Sequence, residues 1–97
     1  MKRGVVLSPL ARRDLLDIWE SIATDDRAAA DRVVGAVEEA VANLCAMPQM
    51  GHVRDDLADR SHRFWPVGRY LIVYHHDTKP LEVVRVLHGA RDVAGLL

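Results

Sequence analysis

The chain has 97 residues, 49% of them apolar and 28% charged, a balance that fits one globular domain and excludes wholesale disorder. Its formal net charge of −1 argues against a protein that binds nucleic acid through a large basic excess. The single cysteine, Cys45, cannot form an internal disulfide, which fits a reducing compartment. No apolar run reaches the roughly 18 residues of a membrane span, and the N-terminal run is too short for a signal peptide. We therefore expect one cytoplasmic domain over residues 1–97, without membrane association.

The first half of the chain predicts a short strand followed by two helices. The apolar run 4–8 indicates a strand. Ser8 and Pro9 then form a typical helix start, because serine caps the first turn and proline suits the first helical position. Apolar residues continue at helical spacing, and after a short polar turn a second helix is predicted over 27–46. Because the connection is so short, the two helices should pack as an antiparallel hairpin.

The second half of the chain predicts three strands. The segments 63–67, 70–75 and 81–88 are rich in β-branched and aromatic residues, and turn signals at 68–69 and 77–80 separate them. Short connections of this kind produce an antiparallel meander. The expected fold class is α+β in the order β-αα-βββ, with the antiparallel helix hairpin packed on one face of a mainly antiparallel sheet. A short C-terminal tail or helical turn completes it.

The predicted strands are apolar on both faces. In the segment 70–75, Tyr70, Ile72 and Tyr74 share one face, while Leu71 and Val73 occupy the other. Two helices can cover only one face of a sheet. Either the tail and the long loop fold over the second face, or a partner segment covers it, and we favour the partner because exposed apolar patches usually mark interaction sites. The chain made alone should then be poorly soluble or self-associating.

The histidines do not form a recognisable metal site. His75 and His76 are adjacent, so in a strand they face opposite ways and cannot hold one ion together. His52 and His62 lie in or beside a loop, and Cys45 has no second thiol. We therefore predict no metal and no cofactor.

The stretch "VVRVLHGARD" combines an imidazole, a guanidinium and a carboxylate within five residues. His88 could act as a general base oriented by Asp92, or it could hydrogen-bond the backbone and fix the end of a strand. Gly89 most simply supplies a tight turn, and Asp92 suits the first turn of a helix. We favour the structural role for His88, while Arg91 could pair locally or point outward toward a target.

Four segments together carry a resemblance to a known family. "LSPLARRDLLDIW", "MPQMGHVRDDL", "RFWPVGRYLIVY" and "LEVVRVLHGARD" resemble the ParE branch of the RelE/ParE toxin superfamily over essentially the whole chain, in the same order and spacing. The resemblance implies the toxin of a type II toxin–antitoxin module of the plasmid stabilisation type, neutralised by a ParD-like antitoxin in a heterotetramer. ParE toxins are known as DNA gyrase inhibitors, whereas RelE relatives cut messenger RNA on the ribosome, so the fold alone does not decide the activity.

The nuclease pattern of the RelE relatives is incomplete in this chain. Those enzymes use lysines and arginines on the sheet and a tyrosine in the C-terminal segment, but the only lysines here are Lys2 and Lys79, and the tail has no tyrosine. Arg69 precedes Tyr70 instead of following it, and Arg91 alone matches. We predict gyrase inhibition by protein contact, with no catalytic residue and no direct nucleic-acid binding. The alternatives are a ribosome-dependent endoribonuclease and a non-toxic member that only binds antitoxin.

Several side chains are candidates for contact with a target or an antitoxin. Arg12 and Arg13 lie in the first helix where its dipole disfavours cations, so either nearby acids offset them or they contact an acidic antitoxin. Arg63 and Trp65 lie on a predicted edge strand, as core or interface anchors, whereas Trp19 is predicted to be core. The candidate contact residues are Arg12, Arg13, Arg63, Trp65, Tyr70, Tyr74, Arg85, His88 and Arg91.

Overall fold

The computed structural model describes residues 4–53, 62–89 and 92, and these residues form an α+β fold in the order β-αα-βββ. This confirms the predicted fold class, and the predicted bounds of the helices and strands agree with the structure to within a residue or two. The predicted C-terminal tail or helical turn lies outside the described residues apart from Asp92. No helix in the described ranges is long and apolar enough to cross a membrane. The elements are β1 (Val5–Leu7), α1 (Pro9–Ala23), α2 (Arg27–Ala46), a 3-10 turn (Pro48–Met50), β2 (His62–Val67), β3 (Tyr70–His75) and β4 (Leu81–His88).

The four described strands form one mixed sheet in the order β1-β4-β3-β2. The meander of β2, β3 and β4 is antiparallel as expected, while β1 pairs parallel to β4. The segment that contains the run of valines is therefore an internal strand. The pairing of β3 with β4 shifts between Val73 and Tyr74, which re-aims the side chains beyond that point.

Both helices begin at the capping residues that the sequence indicates. The Ser8 hydroxyl oxygen accepts a hydrogen bond from the Ala11 N–H at 3.0 Å, and the same hydroxyl donates to the Val84 carbonyl at 2.6 Å. Asp26 caps α2 by accepting from the Ala29 N–H at 3.0 Å. Ser8 therefore starts α1 and also attaches that start to the central strand.

The helix hairpin is held by a contact around Trp19. Its indole N–H donates to the Asp31 carboxylate at 2.8 Å, and the Arg27 guanidinium lies 5.4 Å from the centre of its ring. The residue is half-buried at the seam between α1 and α2. Trp19 thus joins the two helices from the edge of the core, whereas the sequence interpretation placed it inside the core.

The main core lies between the hairpin and the facing side of the sheet. Val37 and Leu44 of α2 meet Ile72 and Tyr74 of β3 and Val83 of β4, and all five side chains are 0% exposed. Burial of such side chains is worth about 1.5–3 kcal/mol each relative to leaving them exposed. This layer fixes α1 and α2 against the strands and thereby positions the grooves described below.

The opposite face of the sheet differs from expectation. Phe64, Val73 and Leu87 form a second cluster there and are only 4%, 5% and 2% exposed in the single chain, with Leu71 and Val84 half-buried around them. The favoured prediction, that a partner segment covers this face, is wrong for these three side chains, because they are already buried in the single chain. The alternative prediction, cover by the tail and the long loop, concerns residues that lie mostly outside the described ones. The prediction that the isolated chain is poorly soluble depended on exposure of this apolar face, and these three side chains are not exposed.

Candidate functional site

A helix carboxylate closes the edge of β4 where β1 stops. Strand β1 ends at Leu7, so the second half of β4 has no neighbour on that side among the described strands. Asp14 of α1 takes its place: one carboxylate oxygen accepts the Val86 N–H at 2.9 Å, and the two oxygens bind Arg85 Nε and Nη2 at 2.7 and 3.0 Å. The hydrogen bonds to Asp14 raise the pKa of Arg85. Arg85, predicted to contact another protein, is instead paired within the chain.

The end of β4 is organised by Asp92. Its carboxylate accepts the His88 N–H at 2.7 Å, while the His88 ring packs edge-on against Tyr70 with 5.5 Å between ring centres. The Nδ1 atom of His88 is buried and has no hydrogen-bond partner among the residues that the structure describes. Asp92 therefore fixes the strand end and does not orient the imidazole, which favours the structural role over the general base. A Cβ at Gly89 would lie 2.7 Å from the Arg69 carbonyl oxygen, so the turn that follows β4 needs a glycine at this position.

A polar cavity lies between α1 and this end of the sheet. It has a volume of about 480 Å³ and combines carboxylates with one imidazole, one phenol and one guanidinium. We call it the acidic cavity because carboxylates outnumber cations among its described lining residues. It is lined by Asp14, Asp17, Ile18, Ser21, Ile22, Arg69, Tyr70, Val86, His88 and Asp92.

An apolar groove continues from the acidic cavity toward α2. It has a volume of about 420 Å³ and lies between the two helices and the β2–β3 turn. Ile22, Arg69 and Tyr70 line both concavities, so the two form one continuous surface. We call the second one the hairpin groove; it is lined by Ile22, Arg32, Val33, Ala36, Val67, Gly68, Arg69 and Tyr70.

Of the predicted contact residues, Tyr70 lines both concavities and His88 lines the acidic cavity, while Arg12 and Arg13 of α1 line neither. The Arg12 guanidinium donates to the Leu7 carbonyl at 3.4 Å, and Arg13 lies 3.6 Å from Asp17 with both side chains well exposed. A pair as exposed as this contributes about 0–1 kcal/mol. The Asp17 carboxylate therefore offsets the unfavourable position of the Arg13 cation near the start of α1. Both Arg12 and Arg13 remain exposed to solvent.

The predicted candidates on β2 lie away from the grooves. Arg63 donates from Nη1 to the Gly51 carbonyl at 2.8 Å, and Trp65 is half-buried against the main core with its ring 6.0 Å from that of His52. His52 also pairs its backbone with Phe64 on the outer side of β2, with both hydrogen bonds at 2.8 Å. Arg63 and Trp65 therefore stabilise the loop and the edge strand within the chain.

The structure contradicts a contact role for Tyr74. This side chain is 0% exposed, its hydroxyl donates to the Pro48 carbonyl at 2.7 Å, and its oxygen accepts the Gly51 N–H at 2.9 Å. Burial is the main reason that the pKa of Tyr74 is raised above its ordinary value. Tyr74 is an internal anchor for the 3-10 turn because its strand face points into the helix layer. Arg91 lies outside the described residues.

Three other histidines, His62, His75 and His76, lie at the opposite end of the sheet from His88. His62 and His75 are opposite each other on β2 and β3 with ring centres 4.1 Å apart, and His75 Nε2 is 3.7 Å from the Glu82 carboxylate. His76 contacts Gln49 instead, with 3.1 Å between Nδ1 and Nε2. Within the part of the chain that the structure describes, no three His, Cys, Asp or Glu side chains are placed to hold a metal ion.

Sequence reasoning missed two features of the site. Asp14 lies three residues after Ala11 and four before Ile18, so it occupies the apolar stripe of its helix. An acid on a buried stripe requires a partner, and this signal could have identified the pairing. The second missed feature is Arg32, which lines the hairpin groove. The sequence carries no signal for this position, because an arginine on a helix is ordinarily a solvated charge.

The fold and its grooves define a small α+β protein with one continuous acidic and apolar concavity between a helix hairpin and a sheet. The sequence matches the family model described as ParE toxin of type II toxin-antitoxin system, parDE, over residues 5–93, and the chain belongs to this family. No curated protein gives a significant match. A solved structure, the chromosomal ParDE toxin–antitoxin system from P. aeruginosa, matches with a TM-score of 0.75 and 16% identity over 90% of this chain and 96% of that chain.

Proposed function

We propose that this ParE toxin inhibits DNA gyrase by protein–protein contact and has no catalytic residue. The observation that carries the proposal is the family match along nearly the whole chain, and ParE toxins are not known as an enzyme family. The described polar groups support it, because Asp14, Arg85 and Asp92 are occupied in closing the edge of β4. The nuclease set of the RelE relatives is incomplete in the sequence.

A ParD-like antitoxin is the proposed inhibitor of this toxin. The similar solved structure is named as a ParDE system, which supports an antitoxin partner. We propose a heterotetramer with two copies of each chain, located in the cytoplasm. The hairpin groove and the acidic cavity are the surfaces that we assign to partner contact, and Tyr70 lines both of them. Arg12 and Arg13 are exposed candidates outside these two surfaces.

The proposal is tested with purified chain in two assays run side by side. We expect inhibition of gyrase supercoiling of relaxed plasmid, and intact messenger RNA on programmed ribosomes, because contact with the enzyme requires no cleavage chemistry. Heat-unfolded chain at the same concentration is the control for nonspecific inhibition. Messenger cleavage with normal supercoiling would instead establish the ribosome-dependent endoribonuclease, and inactivity in both assays would favour the member that only binds antitoxin.

A further inference from the structure

Three polar side chains form a row across the sheet at the end opposite His88. His62 begins β2 directly opposite His75 at the end of β3, and His75 in turn lies opposite Glu82 on β4. Because residues paired in this way point to the same face, the two imidazoles and the carboxylate share one side of the sheet. We call His62, His75 and Glu82 the histidine row. Sequence reasoning did not find it, because it placed His62 in or beside a loop.

The contacts within the histidine row are those of an imidazole prepared to bind a metal ion. The ring centres of His62 and His75 are 4.1 Å apart, with 38° between the ring planes. Nε2 of His75 lies 3.7 Å from the Glu82 carboxylate, which favours a proton on Nε2. A histidine that binds a metal through one ring nitrogen usually directs the other at a carboxylate or a carbonyl oxygen. Nδ1 of His75 is therefore the nitrogen that can ligate, with Glu82 behind the ring.

The spacing of the two imidazoles allows both to reach one ion. Two nitrogens bound to the same ion at about 2.0–2.1 Å lie roughly 3–3.5 Å apart. Ring centres at 4.1 Å can meet this separation through rotation of the side chains, without movement of the paired strands. The side chains of His75 and Glu82 are 26% and 41% exposed, so an ion has access from solvent and water can supply its other ligands.

We propose that His62 and His75 together bind a divalent first-row transition-metal ion of the Cu²⁺, Ni²⁺ and Zn²⁺ class, with Glu82 as a positioning residue for the His75 ring. Imidazole nitrogen suits these ions, whereas Mg²⁺ and Ca²⁺ prefer oxygen ligands. The described residues hold no group of three histidine, cysteine or acidic ligands, so the site is open and its ion exchanges, unlike the ion of a closed structural zinc site. The bound ion joins β2, the outermost described strand, to β3.

The test compares thermal unfolding of the full-length chain, prepared without a histidine tag, in the presence and absence of each ion. An ion that binds the folded chain stabilises it, so Ni²⁺ at about ten times its dissociation constant should raise the unfolding temperature by at least about 5 °C. Mg²⁺ at the same concentration should raise it by less than about 1 °C. Calorimetric titration gives the dissociation constant and should show about one Ni²⁺ ion per chain.

Variants of the histidine row separate this site from the other imidazoles. His62→Ala/His75→Ala should bind Ni²⁺ at least about tenfold more weakly and lose most of the temperature shift. The matched control His52→Ala/His76→Ala removes the same number of imidazoles and should stay within about twofold. Glu82→Gln should weaken binding by about tenfold without abolishing it, and Glu82→Asp should recover part of that loss, because the carboxylate acts through the His75 ring. Each variant is compared with its own unfolding temperature without metal.

Proton NMR of the unchanged chain supplies a measurement that needs no variant. Substoichiometric Cu²⁺, a paramagnetic ion, should broaden the imidazole signals of His62 and His75 first and those of His88 last. The proposal is overturned if neither Ni²⁺ nor Zn²⁺ raises the unfolding temperature, if the two double variants lose binding equally, or if the broadening centres on another histidine. Because none of these measurements involves gyrase or an antitoxin, their outcome is independent of the proposed function.

Discussion

Replacing Asp14 with alanine is expected to lower the free energy of unfolding by about 2–4 kcal/mol. The carboxylate is only 14% exposed, and its loss leaves both the Arg85 guanidinium and the Val86 N–H without their partner. A partly buried charge and a strand-edge donor at the wall of the acidic cavity would then lose three hydrogen bonds in fixed positions and keep only water as a replacement. Urea denaturation followed by circular dichroism measures the change.

Asp17→Ala is the matched control for this effect, because Asp17 lies on the same helix with its side chain 61% exposed. Its removal should change the unfolding free energy by at most about 0.5 kcal/mol. Arg85→Ala combined with Asp14→Ala should cost less than the two single losses added together, since the residues act as one unit. Equal midpoints for Asp14→Ala and Asp17→Ala would refute the assigned role of Asp14.

Replacing Gly51 with alanine is the second substitution with a large expected effect, a loss of about 2–4 kcal/mol. A Cβ at this position would overlap the Tyr74 hydroxyl and lie 2.7 Å from ring atom Cε1. Tyr74 cannot move away easily, because it is fully buried and hydrogen-bonded to Pro48. The added methyl group must therefore break the anchor of the 3-10 turn or displace a core side chain.

Gly35→Ala provides the opposite case. No described atom would lie within 4 Å of a Cβ at Gly35, which is exposed within α2. Because alanine favours a helix over glycine, this variant should be more stable by about 0.5–1 kcal/mol. Thermal unfolding of the two variants and the unchanged chain measures the expected loss of stability for Gly51→Ala and the expected gain for Gly35→Ala. A Gly51→Ala variant as stable as the unchanged chain would disprove the proposed crowding.

Local signals predicted the framework well. Ser8 and Pro9 identified the start of α1 because capping is a property of a few neighbouring residues, and the turn residues between the strands identified the meander. The parallel pairing of β1 with β4 was not predicted, since a three-residue strand carries no signal for its partner. The second sheet face was misjudged because strand alternation shows which side chains share a face, not what shields them.

The site was less predictable because it is assembled across the chain. Arg32 and Arg69 belong to a helix and a distant turn, and only packing of the hairpin on the sheet brings them to one groove. Arg85 and Tyr74 were assigned outward roles from their residue types. In the structure, Asp14 binds Arg85 and the loop at Gly51 binds Tyr74. Strand periodicity does not predict where either partner lies.

Controlled expression of the chain in growing bacterial cells tests the toxin assignment most directly. We predict growth arrest soon after induction, and relief of the arrest when an antitoxin of the ParD kind encoded beside it is expressed at the same time. Folded, abundant chain with unchanged growth would contradict the account. The Asp14→Ala variant, expected to be largely unstable, should arrest growth less than the unchanged chain, while Asp17→Ala should match it.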